Sequence, residues 1–83
     1  MDSVIFVYVL RSLSTGRHYV GITKNLDRRV REHNVDASRS TAQLGPWKLL
    51  YYEKCPDYVF ARKRERYLKS GPGHAFLRKA GVA

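Results

Sequence analysis

The chain has few acidic residues, a single cysteine and no long apolar run. Its 83 residues include 7 Asp or Glu against 16 Lys or Arg, which gives a formal charge of +9 and an isoelectric point near 10.1. The lone Cys55 excludes an intramolecular disulfide and a zinc site built from cysteines, and it suits a compartment that keeps thiols reduced. We therefore expect a basic cytoplasmic protein.

The lack of a long apolar run excludes a membrane span. The longest run, Val4 to Leu10, has seven residues and follows an acidic leader, so it predicts neither a transmembrane helix nor a signal peptide. A chain of this length buries only about 60% of the surface that it exposes when unfolded, which leaves room for one core. We expect a single domain over residues 1–83.

The excess of positive charge predicts an anionic partner. For a compact domain nucleic acid is the leading candidate, because the sequence shows no long basic amphipathic helix that would favour a membrane surface. Ribosomal and structural proteins carry similar charge, so the charge alone does not indicate an enzyme. The expected oligomeric state is a monomer or a weak dimer.

Apolar patterning and turn residues predict an α+β fold, a small antiparallel sheet of three strands flanked by helices. Asn25 is the expected N-cap of the first helix, and Gly16 is expected to supply a positive φ in the first hairpin. Residues 34–46 lack periodicity and predict an exposed, mobile loop. The predicted strands are 4–10, 18–22 and 47–53, and the predicted helices are 26–33, 58–70 and 75–80.

Two tyrosines fall on the paired strands of the predicted hairpin. A simple antiparallel register brings Tyr8 and Tyr19 close together, although either one alone is typical of strand packing. Gly21 follows Tyr19 by two residues on the same strand face. It leaves bare backbone beside the N-terminus of the next helix, an arrangement that suits an approaching phosphate.

The first helix carries a second pair of candidates. Arg29 and His33 are four residues apart, so they share one helical face, which borders the inward stripe of Leu26 and Val30. A guanidinium there can hold a phosphate with two hydrogen bonds and stabilise developing charge. The alternative is that Arg29 is a solvated charge and His33 a packed histidine.

Glu65 stands among cations on the later helix, beside the apolar positions Ala61 and Leu68. Such a carboxylate can bind Mg²⁺, whose other ligands are usually water and substrate phosphate. The alternative is a glutamate that only balances charge. Arg64 falls at the centre of the apolar stripe of Phe60, Ala61, Tyr67 and Leu68, and we expect it to reach solvent or to pair with Glu65.

Taken in order, Tyr8, Tyr19-Val20-Gly21, Arg29, His33 and Glu65 resemble the GIY-YIG nuclease superfamily. Phe6-Val7-Tyr8 resembles the first signature element and Tyr19-Val20-Gly21 the second. Residues 25–33 are similar to the helix that carries the arginine, and residues 61–69 to the helix that carries the metal-binding glutamate. The likeness covers residues 4–70 and is strongest to the small single-domain members.

The resemblance implies a metal-dependent endonuclease that hydrolyses nucleic-acid phosphodiesters with little sequence specificity, in DNA repair or recombination. Glu65 would hold Mg²⁺ or Mn²⁺, Arg29 would offset charge in the transition state, and Tyr8 or Tyr19 would deprotonate water. His33 would assist as a relay, and which tyrosine is the base stays open. These groups are expected to line one shared groove.

With the resemblance, we expect the protein to bind nucleic acid, DNA favoured, mainly through the sugar-phosphate backbone, and a second protein to supply the choice of target. The residues assigned to it are Lys24, Arg28, Arg31, Arg62, Arg66 and Lys69.

Two departures from the family pattern favour an alternative. Phe6 stands in place of the first signature's glycine, and residues 70–74 lack the asparagine that many members use to position the phosphate. Ser70, His74 or a residue of the predicted mobile loop is a candidate substitute. The alternative to an active nuclease is a nucleic-acid-binding module with weak or no turnover. A basic protein-interaction or assembly factor is less favoured, since it gives no reason for the tyrosines, Arg29 and Glu65 to occur together.

Overall fold

A computed structural model of the chain describes residues 4–35 and 45–81. In these ranges the chain forms a three-stranded antiparallel sheet with helices on both faces, which confirms the predicted α+β fold. The strand order is β2-β1-β3, so β1 is central and β2 and β3 are edge strands. The elements are β1 (Ile5–Ser12), β2 (His18–Thr23), α1 (Leu26–Val35), β3 (Trp47–Cys55), α2 (Tyr58–Lys69) and α3 (Gly71–Lys79).

β1 is central because its side chains are apolar on both faces, so both faces can be covered by helices. One face, which we call the apolar face, carries Val7 and Val9 and packs against α2 and α3. The other, which we call the aromatic face, carries Tyr8 and Leu10 and packs against α1. Because neighbouring residues of a strand point to opposite faces, the two cores are separated by the sheet itself.

The first hairpin forms as predicted. In the observed register Tyr8 lies opposite Gly21, and Leu10 lies opposite Tyr19. Gly16 has a φ of 78° in the turn, a conformation that glycine adopts without a steric penalty. Pairing extends past the predicted strand ends, because Ser12 still pairs with Trp47 on the other side of β1.

α1 begins where its N-cap predicts and runs two residues further than expected. The Asn25 side chain accepts a hydrogen bond from the Arg28 N–H at 3.0 Å. Asn34 and Val35, which we assigned to a loop, are helical, since the Asn34 amide binds both the Val30 carbonyl oxygen and the backbone of Trp47. The rest of the predicted loop, residues 36–44, lies outside the described residues.

The predicted boundary between α2 and α3 is wrong. We expected residues 71–73 to end one helix and to precede the next, but they form the first turn of α3. The Ser70 hydroxyl caps this turn by accepting from the Gly73 N–H, and Pro72 is tolerated there because a first-turn N–H needs no partner. Gly73 is required because a Cβ atom would collide with the Tyr67 carbonyl oxygen.

The expectations for Arg64 and Phe60 are also wrong. Arg64 pairs with Glu53 of β3, through Nε to Oε1 at 2.8 Å and Nη2 to Oε2 at 2.6 Å, because its flank of α2 faces β3. Tyr51 donates to the same carboxylate, and the bound Arg64 holds the pKa of Glu53 below its usual value. Phe60 lies in the first turn of α2, outside both cores, and is 47% exposed.

Cys55 is a buried free thiol at the end of β3. Burial raises its pKa. Within residues 4–35 and 45–81 no helix is long and apolar enough to cross a membrane.

Replacing Glu53 by Gln is expected to lower the free energy of unfolding by about 1–3 kcal/mol, because Arg64 loses two charge-assisted hydrogen bonds. The effect depends on pH. The Glu53 pKa is lowered in the folded protein, so its contribution is present above the ordinary value of 4.5 and is lost as pH falls through the folded pKa. Urea unfolding between pH 3 and 7 measures both.

The matched control is Glu32→Gln, because Glu32 makes comparable ion pairs on the surface of α1. Its carboxylate is 47% exposed, so its loss is expected to cost well under about 1 kcal/mol. Equal losses in the two variants would contradict the assigned role of the Glu53 pair.

Gly21→Ala is expected to destabilise the protein by about 1–3 kcal/mol, because the added Cβ would meet the Tyr8 hydroxyl oxygen at 2.5 Å and the Tyr19 ring at 2.9 Å. Gly71→Ala is the control, since a Cβ there has no neighbour within 4 Å. Thermal unfolding of both variants gives the comparison. A Gly21→Ala variant as stable as Gly71→Ala would show that the Tyr8 ring moves aside freely.

Candidate active site at the β2 edge

An aromatic cluster forms on the aromatic face of the sheet, where α1 covers it. The ring centroids of Tyr19 and His33 are 4.6 Å apart, and those of Tyr8 and His33 are 6.0 Å apart. The two phenol rings are separated by 6.2 Å, as the hairpin register predicts. Trp47 completes the cluster at 6.2 Å from Tyr19. Of the predicted site residues, Tyr8, Tyr19 and His33 therefore lie in one cluster.

Tyr8 is the buried member of this cluster. Its side chain is fully excluded from solvent, and its hydroxyl lies 3.0 Å from Nε2 of His33. Burial raises the pKa of Tyr8, and the nearby Arg29 guanidinium opposes the rise only in part. The phenol therefore stays protonated near neutral pH, whereas Tyr19 is only half-buried.

His33 is both packed and hydrogen-bonded, so the two alternatives drawn from the sequence describe the same side chain. Only 5% of the His33 surface is exposed to solvent. Burial and the positive charge of Arg29 lower the pKa of His33 below the usual 6.5. The imidazole is therefore neutral at pH 7, and it can exchange a hydrogen bond with Tyr8 without carrying charge into the core.

Arg29 lies between this cluster and solvent. Its side chain is 46% exposed, and interaction with the Tyr8 hydroxyl raises its pKa. Glu32 accepts a hydrogen bond from the Arg29 Nη1 at 3.2 Å and also lies 3.6 Å from the Arg28 guanidinium. Arg29 is thus held beside the phenols while much of its guanidinium remains free to meet an anion.

The expectation that Gly21 offers bare backbone to a phosphate is wrong. Gly21 is buried, and the space above its Cα is filled by the Tyr8 phenol. The glycine is needed because Tyr8, directly opposite in the register, lays its ring across that position.

Glu65 is carried on α2, which packs against the apolar face, the side of the sheet opposite to the phenols. Its carboxylate is 15% exposed and lies 3.3 Å from Nη1 of Arg62 and 3.1 Å from Nζ of Lys69. Both partners belong to the same helix. Glu65 is thus not part of the aromatic cluster. Whether Glu65 can act together with this cluster depends on which flank of α2 carries it.

Helix geometry places Glu65 on the flank that faces β2. Residues of a helix follow one another at about 100° around the axis, so Arg64 and Glu65 lie on either side of the buried line from Ala61 to Leu68. Arg64 contacts Glu53 on β3. Because the strand order is β2-β1-β3, the flank of Glu65 faces the β2 edge.

The start of α2 supports this placement. Tyr58 lies on the same flank as Glu65, two turns earlier. Lys24, the residue directly after β2, places its Nζ 5.9 Å from the centroid of the Tyr58 ring. α2 therefore runs alongside β2, and it begins beside the end of that strand.

α1 turns Arg29 toward the same edge from the other face. Asn34 binds Trp47 at the start of β3, accepting from its N–H at 2.7 Å and donating to its carbonyl oxygen at 3.2 Å. Arg29 lies about 140° away around the helix, and it interacts with Tyr19 of β2. We call the set Tyr8, Tyr19, Arg29, His33 and Glu65 the β2 edge site.

The six basic residues assigned to nucleic acid are all exposed, but they do not share one face. Arg31 and Arg66 lie on the outward sides of α1 and α2, which cover opposite faces of the sheet. Arg28 lies toward solvent beside Glu32. The three that border the β2 edge are Lys24, Arg62 and Lys69.

Glu65 is the only predicted metal ligand. Within the described ranges no group of three or more His, Cys, Asp or Glu side chains could hold a metal ion. A single hard carboxylate oxygen nevertheless suits Mg²⁺ or Mn²⁺, which keep several waters and complete their coordination on substrate phosphates. The donor chemistry at the β2 edge is therefore compatible with the predicted ion.

Sequence reasoning missed two positioning residues, Asn34 and Trp47. Trp47 was assigned to a strand and Asn34 to a loop, yet together they tie the end of α1 to β3 beside His33. An asparagine near the end of a helix, able to donate and accept at once, was the available signal. The substitutes considered for the family's asparagine are also placed: Ser70 caps α3, and His74 lies on α3 beside His18.

Comparison with known proteins gives a family. The GIY-YIG catalytic domain family matches residues 4–73. The UPF0213 protein DP2720 of Desulfotalea psychrophila is 42% identical over 66 residues, covering 77% of this chain and 59% of that protein. The chain thus spans less than two thirds of that relative's length. The UPF0213 protein CPE1444 of Clostridium perfringens is 35% identical over 65 residues, covering 77% and 69%.

A solved structure supports the same conclusion. The solution NMR structure of the UPF0213 protein BH0048 from Bacillus halodurans has a TM-score of 0.58 and 25% identity, covering 96% of this chain and 87% of that one. The family match spans both signature strands, α1 and α2, and the observed sheet carries their side chains in the arrangement described above. The chain therefore belongs to the GIY-YIG family, and this membership implies a nuclease-type function.

Proposed function

We propose that the protein is a metal-dependent endonuclease that hydrolyses nucleic-acid phosphodiester bonds at the β2 edge site. The observation that carries the proposal is the cluster of Tyr8, Tyr19, Arg29 and His33 on one side of β2, with Glu65 on the helix flank that faces the same edge. A nucleic-acid strand that lies along this edge would contact a phenol that activates water, a guanidinium and a carboxylate.

Tyr19 is the proposed base and Tyr8 a positioning residue. Tyr8 is buried with a raised pKa, so it holds its proton and orients His33. Tyr19 reaches solvent and lies beside Arg29 and His33. Its place beside the Arg29 guanidinium and the His33 ring puts this phenol where it can accept a proton from an attacking water.

Arg29 is proposed to bind the scissile phosphate. Its exposed guanidinium can form two parallel hydrogen bonds to phosphoryl oxygens and offset the charge that builds there during attack. Glu32 holds the guanidinium in place before substrate arrives. This preorganisation lowers the cost of positioning the side chain during reaction.

Glu65 would hold Mg²⁺ or Mn²⁺. When bound, the ion supplies charge neutralisation at the phosphate and stabilisation of the leaving oxygen. Arg62 and Lys69 now neutralise the carboxylate. When the carboxylate binds a cation, these two side chains become available to neighbouring phosphates along the same flank.

The proposed substrate is DNA bound through its backbone, in a repair or recombination setting, with target choice supplied by a second protein. Lys24, Arg62 and Lys69 border the site and contact phosphates in this proposal, which gives affinity without base readout. Contacts to phosphates carry no information about base edges, so little sequence specificity is expected.

Arg29→Ala and Glu65→Gln are each expected to lower the rate of Mg²⁺-dependent nicking of closed circular DNA at least about 100-fold, the scale seen when one electrostatic partner of a transition state is removed. DNA affinity should change far less. Lys63→Ala is the control, because Lys63 is exposed on the solvent side of α2. Gel separation of nicked from closed circles measures the rate.

Equal nicking by wild type, Arg29→Ala and Glu65→Gln would contradict the proposal. DNA binding without any Mg²⁺-dependent nicking in the wild type would instead establish the alternative, a binding module without turnover. The absence of the family's asparagine is the observation that favours that alternative.

The cleavage rates of two phenylalanine variants should distinguish the roles of the two tyrosines. Tyr19→Phe should lose at least about 100-fold in the single-turnover rate, because it removes the proposed base. Tyr8→Phe should lose much less, because Tyr8 orients His33 and does not take the proton from water. A larger loss in Tyr8→Phe than in Tyr19→Phe would reverse the assignment.

A further inference from the structure

Four basic residues converge at the hairpin end of the β2 edge. His18 begins β2, and Arg11 of β1 lies directly across from it in the register. His74 and Arg78 lie one turn apart on α3. A cavity of about 160 Å³ opens here, lined by His18, His74, Leu77 and Arg78.

Nothing in the described part of the chain neutralises this charge. The ion pairs made by Glu32, Glu53 and Glu65 all go to other cations. Within residues 4–35 and 45–81, Arg11, His18, His74 and Arg78 lie near one another, and none of them forms an ion pair with a carboxylate. The pKa of His18 is lowered by burial and further by the charges of His74 and Arg11. Two arginines without a carboxylate partner in the described ranges, beside a cavity lined by two imidazoles, have the chemistry of an anion site.

The size of the cavity limits the anion. At about 30 Å³ for each water, 160 Å³ has room for about five water molecules, enough for one phosphoryl group but not for a nucleoside. Leu77 is buried and forms an apolar wall, while the imidazole and guanidinium side chains supply hydrogen-bond donors. The chemistry is that of an oxyanion with several acceptor oxygens.

We propose that this pocket binds the terminal phosphate monoester of a nucleic-acid strand. A terminal phosphate carries about −1.5 to −2 charges and three free oxygens, so it suits a pocket of two guanidinium groups and two imidazoles better than a diester with one charge does. A cavity of this size also admits the end of a strand more readily than a continuous backbone. The choice of nucleic acid as the source of the phosphate rests on the proposed function.

The pocket lies on the path that a strand at the β2 edge would follow. α2 starts beside Lys24 at the end of β2, and α3 brings His74 to His18 at the start of β2. Glu65 falls between these two ends, and Lys69 lies one helical turn beyond it toward α3. A nucleic-acid strand whose terminal phosphate is bound in the pocket therefore passes Lys69 and reaches Glu65. The pocket would then set the distance between the end of the strand and the bond that is cleaved.

The test compares oligonucleotides of one sequence that carry a 5′-phosphate, a 3′-phosphate or hydroxyls at both ends, bound in EDTA so that none is cleaved. Fluorescence anisotropy should show at least about tenfold tighter binding of one phosphorylated form by the wild type. His74→Gln and Arg78→Gln should bring that preference to within about twofold. Lys79→Gln removes the same charge from the same helix outside the pocket and should keep it.

Inorganic phosphate tests the oxyanion chemistry without nucleic acid. Its titration should shift the imidazole resonances of His18 and His74 in the wild type, and the shift of His18 should be lost in Arg78→Gln. Equal binding of all three oligonucleotides by the wild type would overturn the proposal. So would a preference that survives in both pocket variants.

Closed circular DNA separates this proposal from the proposed function, because it has no ends. Nicking of the circle together with equal binding of the three oligonucleotides would remove the pocket proposal and leave the nuclease intact. An end preference without nicking would do the reverse.

Discussion

The alternation of side chains along β1 is the constraint on which the rest of the molecule depends. Val7 and Val9 point to the apolar face and join the core under α2 and α3, while Tyr8 and Leu10 point to the aromatic face under α1. A shift of one residue would place a phenol in the aliphatic core and would lose the contact with His33. Because the sheet has only three strands, both cores end at β2, and side chains from either face can meet around that strand.

The two tyrosines differ in burial, and this difference underlies the distinct roles proposed for them. The phenol at position 8 is closed in by Gly21 beneath it and His33 beside it, and burial raises its pKa, so it keeps its proton and its hydrogen bond with His33. Tyr19, two register positions away on the edge strand, keeps access to solvent. The same logic applies to the cations. Arg64 is bound by Glu53 and stabilises the fold, whereas Arg29 remains half-exposed and available to an anion.

Local signals predicted most of the fold and part of the site. The apolar run around Val7, the Asn25 cap and the hairpin turn are encoded in neighbouring residues, so the strands, α1 and the Tyr8–Tyr19 contact could be read directly. The partner of Arg64 could not, because Glu53 lies on another element and only the crossing of α2 over the sheet decides which flank faces β3. Gly21 was misread for a related reason: its neighbour across the sheet, not the following helix, fills the space above it. The start of α3 was missed because a capping serine followed by Pro and two glycines is typical both of a helix end and of a new first turn.

The central claim is that Glu65 and the phenols share the β2 edge although they belong to opposite faces of the sheet. Tyr19 on β2 and Tyr52 on β3 offer a matched pair, since both rings lie on the aromatic face, on the two edge strands. Neighbouring strands are about 4.8 Å apart, so a paramagnetic ion held by Glu65 is expected to lie closer to Tyr19 than to Tyr52 by a distance that relaxation resolves. NMR titration with Mn²⁺ should broaden the Tyr19 ring signals more than those of Tyr52, and Glu65→Gln should abolish the difference. Broadening of Tyr52 equal to that of Tyr19, or broadening unchanged in Glu65→Gln, would contradict the account.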